Sequence, residues 1–113
     1  MDGSPSYRLV LTQEASDDIF DLYEFYKELR PGLGDSFMDS IGDCLAEIEA
    51  HPTRWQFAYS QQENIRRALI RVPPVVIFYE VEDNSIYAGR VKDARSNWQL
   101  QAAFRFRLKG LAL

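Results

Sequence analysis

The sequence predicts an α+β fold in which one strand and two helices precede a three-stranded antiparallel meander. Apolar residues recur at helical spacing up to residue 50, and strand-forming residues dominate from residue 54 onward. The chain has 113 residues, 46% of them hydrophobic and 27% charged, which is typical of one globular domain. We therefore expect residues 1–113 to form a single domain.

The first strand and the first helix meet at a capping residue. Residues 7–11 alternate and are rich in strand formers, which predicts a β-strand. Thr12 has the hydroxyl of an N-cap, and acidic residues follow where a helix N-terminus favours negative charge. Pro31-Gly32 ends the helix. Its apolar stripe consists of Ala15, Ile19, Leu22, Tyr23, Tyr26 and Leu29.

The second helix is expected to begin near Asp35 and to end before Pro52, whose ring disfavours helical backbone at His51. The short Pro-Gly connection makes the two helices an antiparallel hairpin. The apolar stripe of the second helix consists of Phe37, Met38, Ile41, Cys44, Leu45 and Ile48.

Three strands account for residues 65–93. Residues 65–72 form the first, and Pro73-Pro74 separates it from residues 75–81, which are nearly all strand-forming and predict a central strand. A turn at residues 82–85 leads to the last strand, which ends at Asp93.

Residues 99–113 are compatible with two structures. Leu100, Ala103, Phe104, Leu108 and Leu111 fit a helical stripe, whereas residues 104–109 alternate as an edge strand would. The helix is the favoured alternative because residues 99–103 are helix-compatible, and the edge strand remains open.

The net charge of −4 is unevenly distributed. Residues 1–53 contain three basic and twelve acidic residues, a balance of −9, and residues 54–113 contain ten basic and five acidic residues, a balance of +5. Such asymmetry between halves is a sign of an anionic partner. The total therefore does not exclude a surface that binds phosphates or an acidic polypeptide.

The sequence does not indicate a secreted, membrane-spanning or metal-binding protein. Cys44 is the only cysteine and falls on an apolar stripe, which predicts a buried thiol in a reducing cytoplasm. The N-terminus lacks a signal-peptide pattern, and no run of eighteen apolar residues predicts a membrane span. His51 is the only histidine, so we expect no metal and no cofactor. Carboxylates on the helices, Asp18 among them, are interpreted as solvated.

The basic residues of the meander are the candidate functional residues. Strand alternation predicts that Arg67 and Arg71 share one face, and that Arg90 and Lys92 share the face of Ile86 and Ala88. The cluster is interpreted as an anion-binding surface, with solvated surface ion pairs as the alternative. Trp98, just past the last strand, is an exposed contact candidate. The candidate binding residues are Arg66, Arg67, Arg71, Arg90, Lys92, Arg95 and Trp98.

Five segments in order resemble the RelE/ParE superfamily of type II toxins, over residues 7–98. The resemblance implies a twisted antiparallel sheet with the helical hairpin on one face, a core over 7–98 and a C-terminal extension over 99–113. It also implies a bacterial cytoplasmic toxin that a cognate antitoxin neutralises with an acidic or amphipathic C-terminal segment. The segments are Leu11-Thr12-Gln13-Glu14-Ala15, Arg30-Pro31-Gly32-Leu33-Gly34-Asp35-Ser36-Phe37, His51-Pro52, Ile65-Arg66-Arg67-Ala68-Leu69-Ile70-Arg71-Val72-Pro73 and Ile77-Phe78-Tyr79-Glu80-Val81.

The superfamily divides into ribosome-dependent mRNA endoribonucleases, which are RelE-like, and ParE-like inhibitors of DNA gyrase. Where many relatives have a histidine and two arginines after the last strand, this chain has Asp93-Ala94-Arg95-Ser96. The resemblance therefore favours a ParE-like protein that binds gyrase, with a RelE-like nuclease acting on ribosome-bound mRNA, or a non-toxic relative, as alternatives. The sequence leaves open whether the protein forms a homodimer. If the chain is a nuclease, its catalytic candidates are Arg67, Arg71, Tyr79, Arg90 and Arg95.

Overall fold

A computed structural model describes residues 6–59 and 63–96. The order of elements is the predicted one, and the α+β fold is confirmed. Trp98 and the expected helix or edge strand over 99–113 lie outside the described residues. The elements are β1 (Arg8–Leu11), α1 (Gln13–Leu29), α2 (Leu33–Ala50), β2 (Arg66–Ile70), β3 (Val75–Glu82) and β4 (Ser85–Asp93).

The helical hairpin is defined by a cap, a turn and a close contact. Thr12 is the N-cap of α1, as predicted, and its Oγ1 accepts a hydrogen bond from the backbone N–H of Ala15 at 3.1 Å. Gly32 turns the chain between the helices with a φ of 83°, a conformation that favours glycine. A Cβ atom at Gly34 would lie 3.0 Å from Cε1 of Tyr23, so this glycine allows α1 and α2 to pack closely.

The four strands form one mixed sheet in the order β1-β4-β3-β2. β2 pairs with β3 and β3 with β4 in antiparallel fashion, which is the predicted meander with β3 inside the sheet. The prediction of a wholly antiparallel sheet is wrong for one pair, because β1 runs parallel to β4. β1 joins the free side of the meander after the chain has passed through both helices, so no hairpin sets its direction.

Both helices pack on one face of the sheet, which we call the helix-covered face. Tyr26 and Phe37 from the helices meet Ile77 and Tyr79 from β3 there, and all four side chains are fully buried. Two residues of the predicted stripes lie outside this core, since Leu29 and Met38 are 58% and 42% exposed. The opposite face has a smaller buried cluster of Ile65, Val76 and Phe78.

A β-bulge in β4 changes which residues face the helices. Tyr79 pairs with Ala88 and Phe78 pairs with Arg90, so Gly89 is the additional residue. Ile86, Ala88 and Val91 all belong to the core on the helix-covered face. The prediction that Arg90 and Lys92 share the face of Ile86 and Ala88 is therefore wrong, because the bulge reverses the alternation after Gly89.

The thiol of Cys44 is buried in α2, as predicted, and burial raises its pKa to about 11. Within the described ranges, neither helix combines the length and the apolar character that crossing a lipid bilayer requires.

Candidate binding surface

Arg66 holds the loop that follows α2. Its position in β2 places it on the same side as Ala68 and Ile70, at the end of the helix-covered face. The guanidinium donates hydrogen bonds to the carbonyls of Trp55 at 2.6 Å and Thr53 at 3.3 Å, and lies 4.0 Å from the centre of the Phe57 ring. These contacts tie residues 53–57 to the sheet, so the structure uses this arginine within the fold.

Arg90 is paired with Asp18 of α1. Its Nε and Nη2 donate to the carboxylate at 2.8 and 3.2 Å, and the Val91 N–H donates to the same carboxylate at 2.9 Å. Nζ of Lys92 lies 4.0 Å from Asp18. The Asp18 side chain is only 14% exposed, so the prediction that it is solvated is wrong. The Asp18 hydrogen bond is the main reason that the pKa of Arg90 is raised.

The position of Asp18 follows from the length of β1. The pairing of β1 with β4 ends at Ala88, and no other strand of the described residues lies beside the edge of β4 beyond that residue. The Thr12 N–H donates to the Ala88 carbonyl, and Thr12 Oγ1 donates to the Gly89 carbonyl, both at 3.0 Å. Together Thr12 and Asp18 satisfy backbone groups that a longer β1 would have bound.

Asp93, at the end of β4, joins α1 to the turn that follows the sheet. Its carboxylate accepts hydrogen bonds from Tyr26 Oη at 2.7 Å and from Nε and Nη2 of Arg95 at 2.9 and 2.7 Å. The backbone N–H of Arg95 donates to it as well, at 2.8 Å. Chiefly because of the Arg95 hydrogen bonds, with Tyr26 contributing, the pKa of Asp93 is lowered to about 2. Burial is the main cause that raises the pKa of Tyr26, and Asp93 adds to it.

The structure separates the nuclease candidates. Tyr79 is buried on the helix-covered face, where its Oη donates to the Pro52 carbonyl at 2.7 Å and burial raises its pKa to about 12. Arg67 lies on the opposite face, because it pairs with Phe78. Arg90 and Arg95 each bind an aspartate, and Arg71 is exposed beyond the end of β2. The structure thus spreads these side chains over both faces and the edge of the sheet.

Cations and exposed apolar side chains lie together where β2 ends. We call Arg67, Leu69, Arg71 and Val72 the β2 end patch. Ala68 and Ile70 pack into the core, so alternation places Arg67 and Leu69 on the face away from the helices. Leu69 is 58% and Val72 66% exposed, and Arg67 Nη2 donates to Gln56 Oε1 at 2.8 Å. Leu69 and Val72 were not predicted as binding residues; the signal for Leu69 is an apolar residue at a solvent-side position of a strand.

Within residues 6–59 and 63–96, no group of three or more His, Cys, Asp or Glu side chains is placed to hold a metal ion.

Comparisons with known proteins agree with this architecture. One solved structure, titled "Chromosomal ParDE TA system from P. aeruginosa", superposes with a TM-score of 0.70 and covers 81% of this chain and 100% of that chain. The two sequences are 17% identical, so this likeness concerns the fold. A search of curated proteins finds no significant match. The family model described as the ParE toxin of the type II toxin-antitoxin system, parDE, matches residues 9–98. The chain belongs to this ParE toxin family, as the resemblance in its sequence predicts.

Proposed function

We propose that this ParE toxin acts in the bacterial cytoplasm by binding a protein target, DNA gyrase, and that a cognate antitoxin neutralises it. The hydrogen bonding of the Asp93 carboxylate is the observation that favours target binding over RNA cleavage. This residue stands where the resemblance leads one to expect the histidine of a nuclease.

RNA cleavage by a 2′-hydroxyl needs a base for that hydroxyl, cations for the phosphate and an acid for the leaving oxygen. A carboxylate with a pKa of about 2 and donors from Tyr26 and Arg95 is a poor base at neutral pH. Tyr79 is a poor acid, because it is buried and its proton is held by the Pro52 carbonyl. These features support a toxin that acts by binding.

The β2 end patch supports binding of an antitoxin segment. Arg67 and Arg71 supply positive charge beside the exposed side chains of Leu69 and Val72. A segment with acidic and apolar residues matches this combination, because charge pairs give orientation and apolar burial gives affinity. Arg66, Arg90 and Arg95 already hold parts of the fold together, so we assign the first contact with the partner to the patch.

The decisive experiment compares two activities of the purified toxin. We expect inhibition of supercoiling by gyrase and intact messages in a ribosome-dependent mRNA cleavage assay. In cells, expression of the toxin alone should arrest growth, and co-expression of the neighbouring small open reading frame should restore it. Ribosome-dependent cuts with unaffected supercoiling would overturn the proposal in favour of the RelE-like activity. Normal growth with abundant toxin would indicate a relative that has lost toxicity.

A further inference from the structure

One side of α1 carries exposed apolar side chains beside the edge of β4 that no described strand covers. Asp18 marks this side, because its carboxylate accepts hydrogen bonds from Arg90 and from the Val91 N–H at that edge. Phe25 and Leu29 follow Asp18 by seven and eleven residues, a spacing that places all three on one side of an α-helix. The side chains of Phe25 and Leu29 are 52% and 58% exposed, and we call these two residues the α1 flank.

The α1 flank lies at the end of β4 where the chain leaves the sheet. Asp18 contacts Val91, and eight residues later along α1 Tyr26 contacts Asp93, so the helix and the strand run in the same direction. The ring of Phe25 packs against the ring of Tyr26, with their centroids 5.3 Å apart. The last residue of β4 is therefore a neighbour of the α1 flank.

The turn that follows β4 directs the chain toward this flank. The Val91 N–H points away from β3 to Asp18, so the carbonyl of Asp93, two residues later, points the same way. That carbonyl accepts a hydrogen bond from the Ser96 N–H at 3.0 Å. Ser96 thus lies on the side of β4 to which the α1 flank belongs.

The α1 flank combines apolar surface with negative charge. Asp21 and Glu28 are exposed and lie about one helical turn before and after Phe25. A segment that covers the flank should therefore bring apolar and basic side chains together, because apolar burial gives affinity and charge pairs give orientation.

Residues 99–113 have this composition and follow Ser96 closely in the sequence. They contain three basic residues, Arg105, Arg107 and Lys109, and no acidic one. Even as a helix, fifteen residues extend about 22 Å, which is longer than the α1 flank itself. The large apolar residues of this segment are Leu100, Phe104, Phe106, Leu108, Leu111 and Leu113.

A second copy of this chain is a poor occupant of the α1 flank. A symmetric contact between two copies places the same surface on both sides. Asp21 and Glu28 of one copy would then lie close to the same carboxylates of the other, and like charges at an interface oppose association. Charge complementarity thus favours residues 99–113.

We infer that residues 99–113 fold back onto the α1 flank of their own chain, where their apolar side chains cover Phe25 and Leu29 and their basic side chains lie beside Asp21 and Glu28. This inference is independent of the proposed function, because it involves neither a target nor an antitoxin. It assigns the flank to the chain's own end rather than to a partner.

The test is amide hydrogen exchange of the ¹⁵N-labelled full chain, measured by NMR. Phe25→Ser should speed the exchange of the amides of residues 100–111 at least about tenfold, because the docked segment loses the burial of an aromatic ring. Phe20→Ser is the matched control, since Phe20 is 63% exposed on another side of α1, and it should leave these rates unchanged. Equal effects of the two variants, or unprotected amides of residues 100–111 in the wild type, would overturn the inference.

A second measurement on the wild type identifies the occupant and does not depend on the folding of any variant. Nuclear Overhauser contacts from Phe25 and Leu29 to residues 99–113 are expected within one chain. In a mixture of ¹³C-labelled and unlabelled toxin, the same contacts between labelled and unlabelled molecules would show that a second copy covers the flank. That result, or the absence of any contact from the flank to residues 99–113, would overturn the inference.

Charge reversal tests the part given to the carboxylates. Glu28→Lys should speed the exchange of the same amides about twofold to threefold, because exposed charge pairs contribute little each. Asp39→Lys is the control, as Asp39 is exposed on α2 and does not belong to the α1 flank. Equal rates in the two variants would overturn the placement of basic side chains beside Glu28.

Discussion

Apolar side chains are used differently on the helix-covered face and at the β2 end patch. Ile77 and Tyr79 are fully buried on the first, whereas Leu69 and Val72 are 58% and 66% exposed at the second. The side chains on the helix-covered face are buried by the two helices of the same chain, which exclude water from them. The exposed ones lie beside arginines, a combination that suits a partner better than solvent. The comparison teaches that the side chains that stabilise this fold and those that we propose to bind the antitoxin lie in separate parts of one small sheet.

The largest expected effect is on the helix-covered face. Phe37→Ala should lower the free energy of unfolding by about 3–5 kcal/mol, because it leaves a cavity against Tyr26 in the core. Urea denaturation of the purified variant measures this change. Phe20→Ala is the control, as Phe20 is 63% exposed on α1, and it should change stability by less than about 0.5 kcal/mol. Equal effects of the two variants would show that the helices do not seal this face.

A smaller effect is expected at the open edge of β4. Asp18→Ala should cost about 2–3 kcal/mol, because Arg90 loses its carboxylate and the Val91 N–H loses its acceptor. Thermal denaturation measures the loss, and a double-mutant cycle with Arg90→Leu isolates the ion pair. Asp17→Ala is the neighbouring control, since among the described residues Asp17 accepts only an exposed hydrogen bond from Gln13. A loss of stability no larger than that of Asp17→Ala would contradict the role given to Asp18.

Asp93 should give the protein a pH-dependent stability in the acid range. Its pKa is lowered to about 2 in the folded state from an ordinary value of 3.8, so its contribution is present above pH 4 and is lost as the pH falls toward 2. We expect a difference of about 1 kcal/mol between the wild type and Asp93→Asn in this range, since solvent screens part of the interaction. Urea titrations between pH 6 and pH 2.5 measure it. Parallel pH profiles for the two proteins would refute the assignment.

The smallest effect is expected at the β2 end patch. Val72→Ser should leave the stability of the free toxin within about 0.5 kcal/mol of the wild type, because this side chain is already mostly in water. The same substitution should weaken antitoxin binding, which isothermal titration calorimetry measures. A marked loss of stability without loss of binding would reverse the assignment of the two regions.

Local features of the sequence predicted much of this fold. The hydroxyl of Thr12 and the Pro31-Gly32 turn set the ends of α1, and both depend only on neighbouring residues. The prediction missed the bulge at Gly89 because it continued the alternation through this residue, although the shift of the apolar positions from Ile86 and Ala88 to Val91 marks the bulge. The burial of Asp18 was equally hidden, since it depends on where β1 stops beside β4.

The contacts of the candidate binding residues could not be predicted from the sequence either. The basic residues of the meander were found from their composition, but their partners lie far away in the sequence. Arg90 binds Asp18 across the fold, and Arg66 binds carbonyls of the loop after α2. Only the three-dimensional arrangement separates these structural cations from Arg71, which stays at the surface.

The parallel pairing of β1 with β4 has a consequence for synthesis of the toxin. Among the described strands, β1 is the first to leave the ribosome and pairs only with β4, the last of them. The anchors of α1 at Gly89 and Arg90 lie in β4 as well. Because domains fold as units once their long-range contacts can form, a nascent chain that lacks β4 has no complete sheet. The contacts that hold β1 and the start of α1 in place therefore form only after β4 has been synthesised.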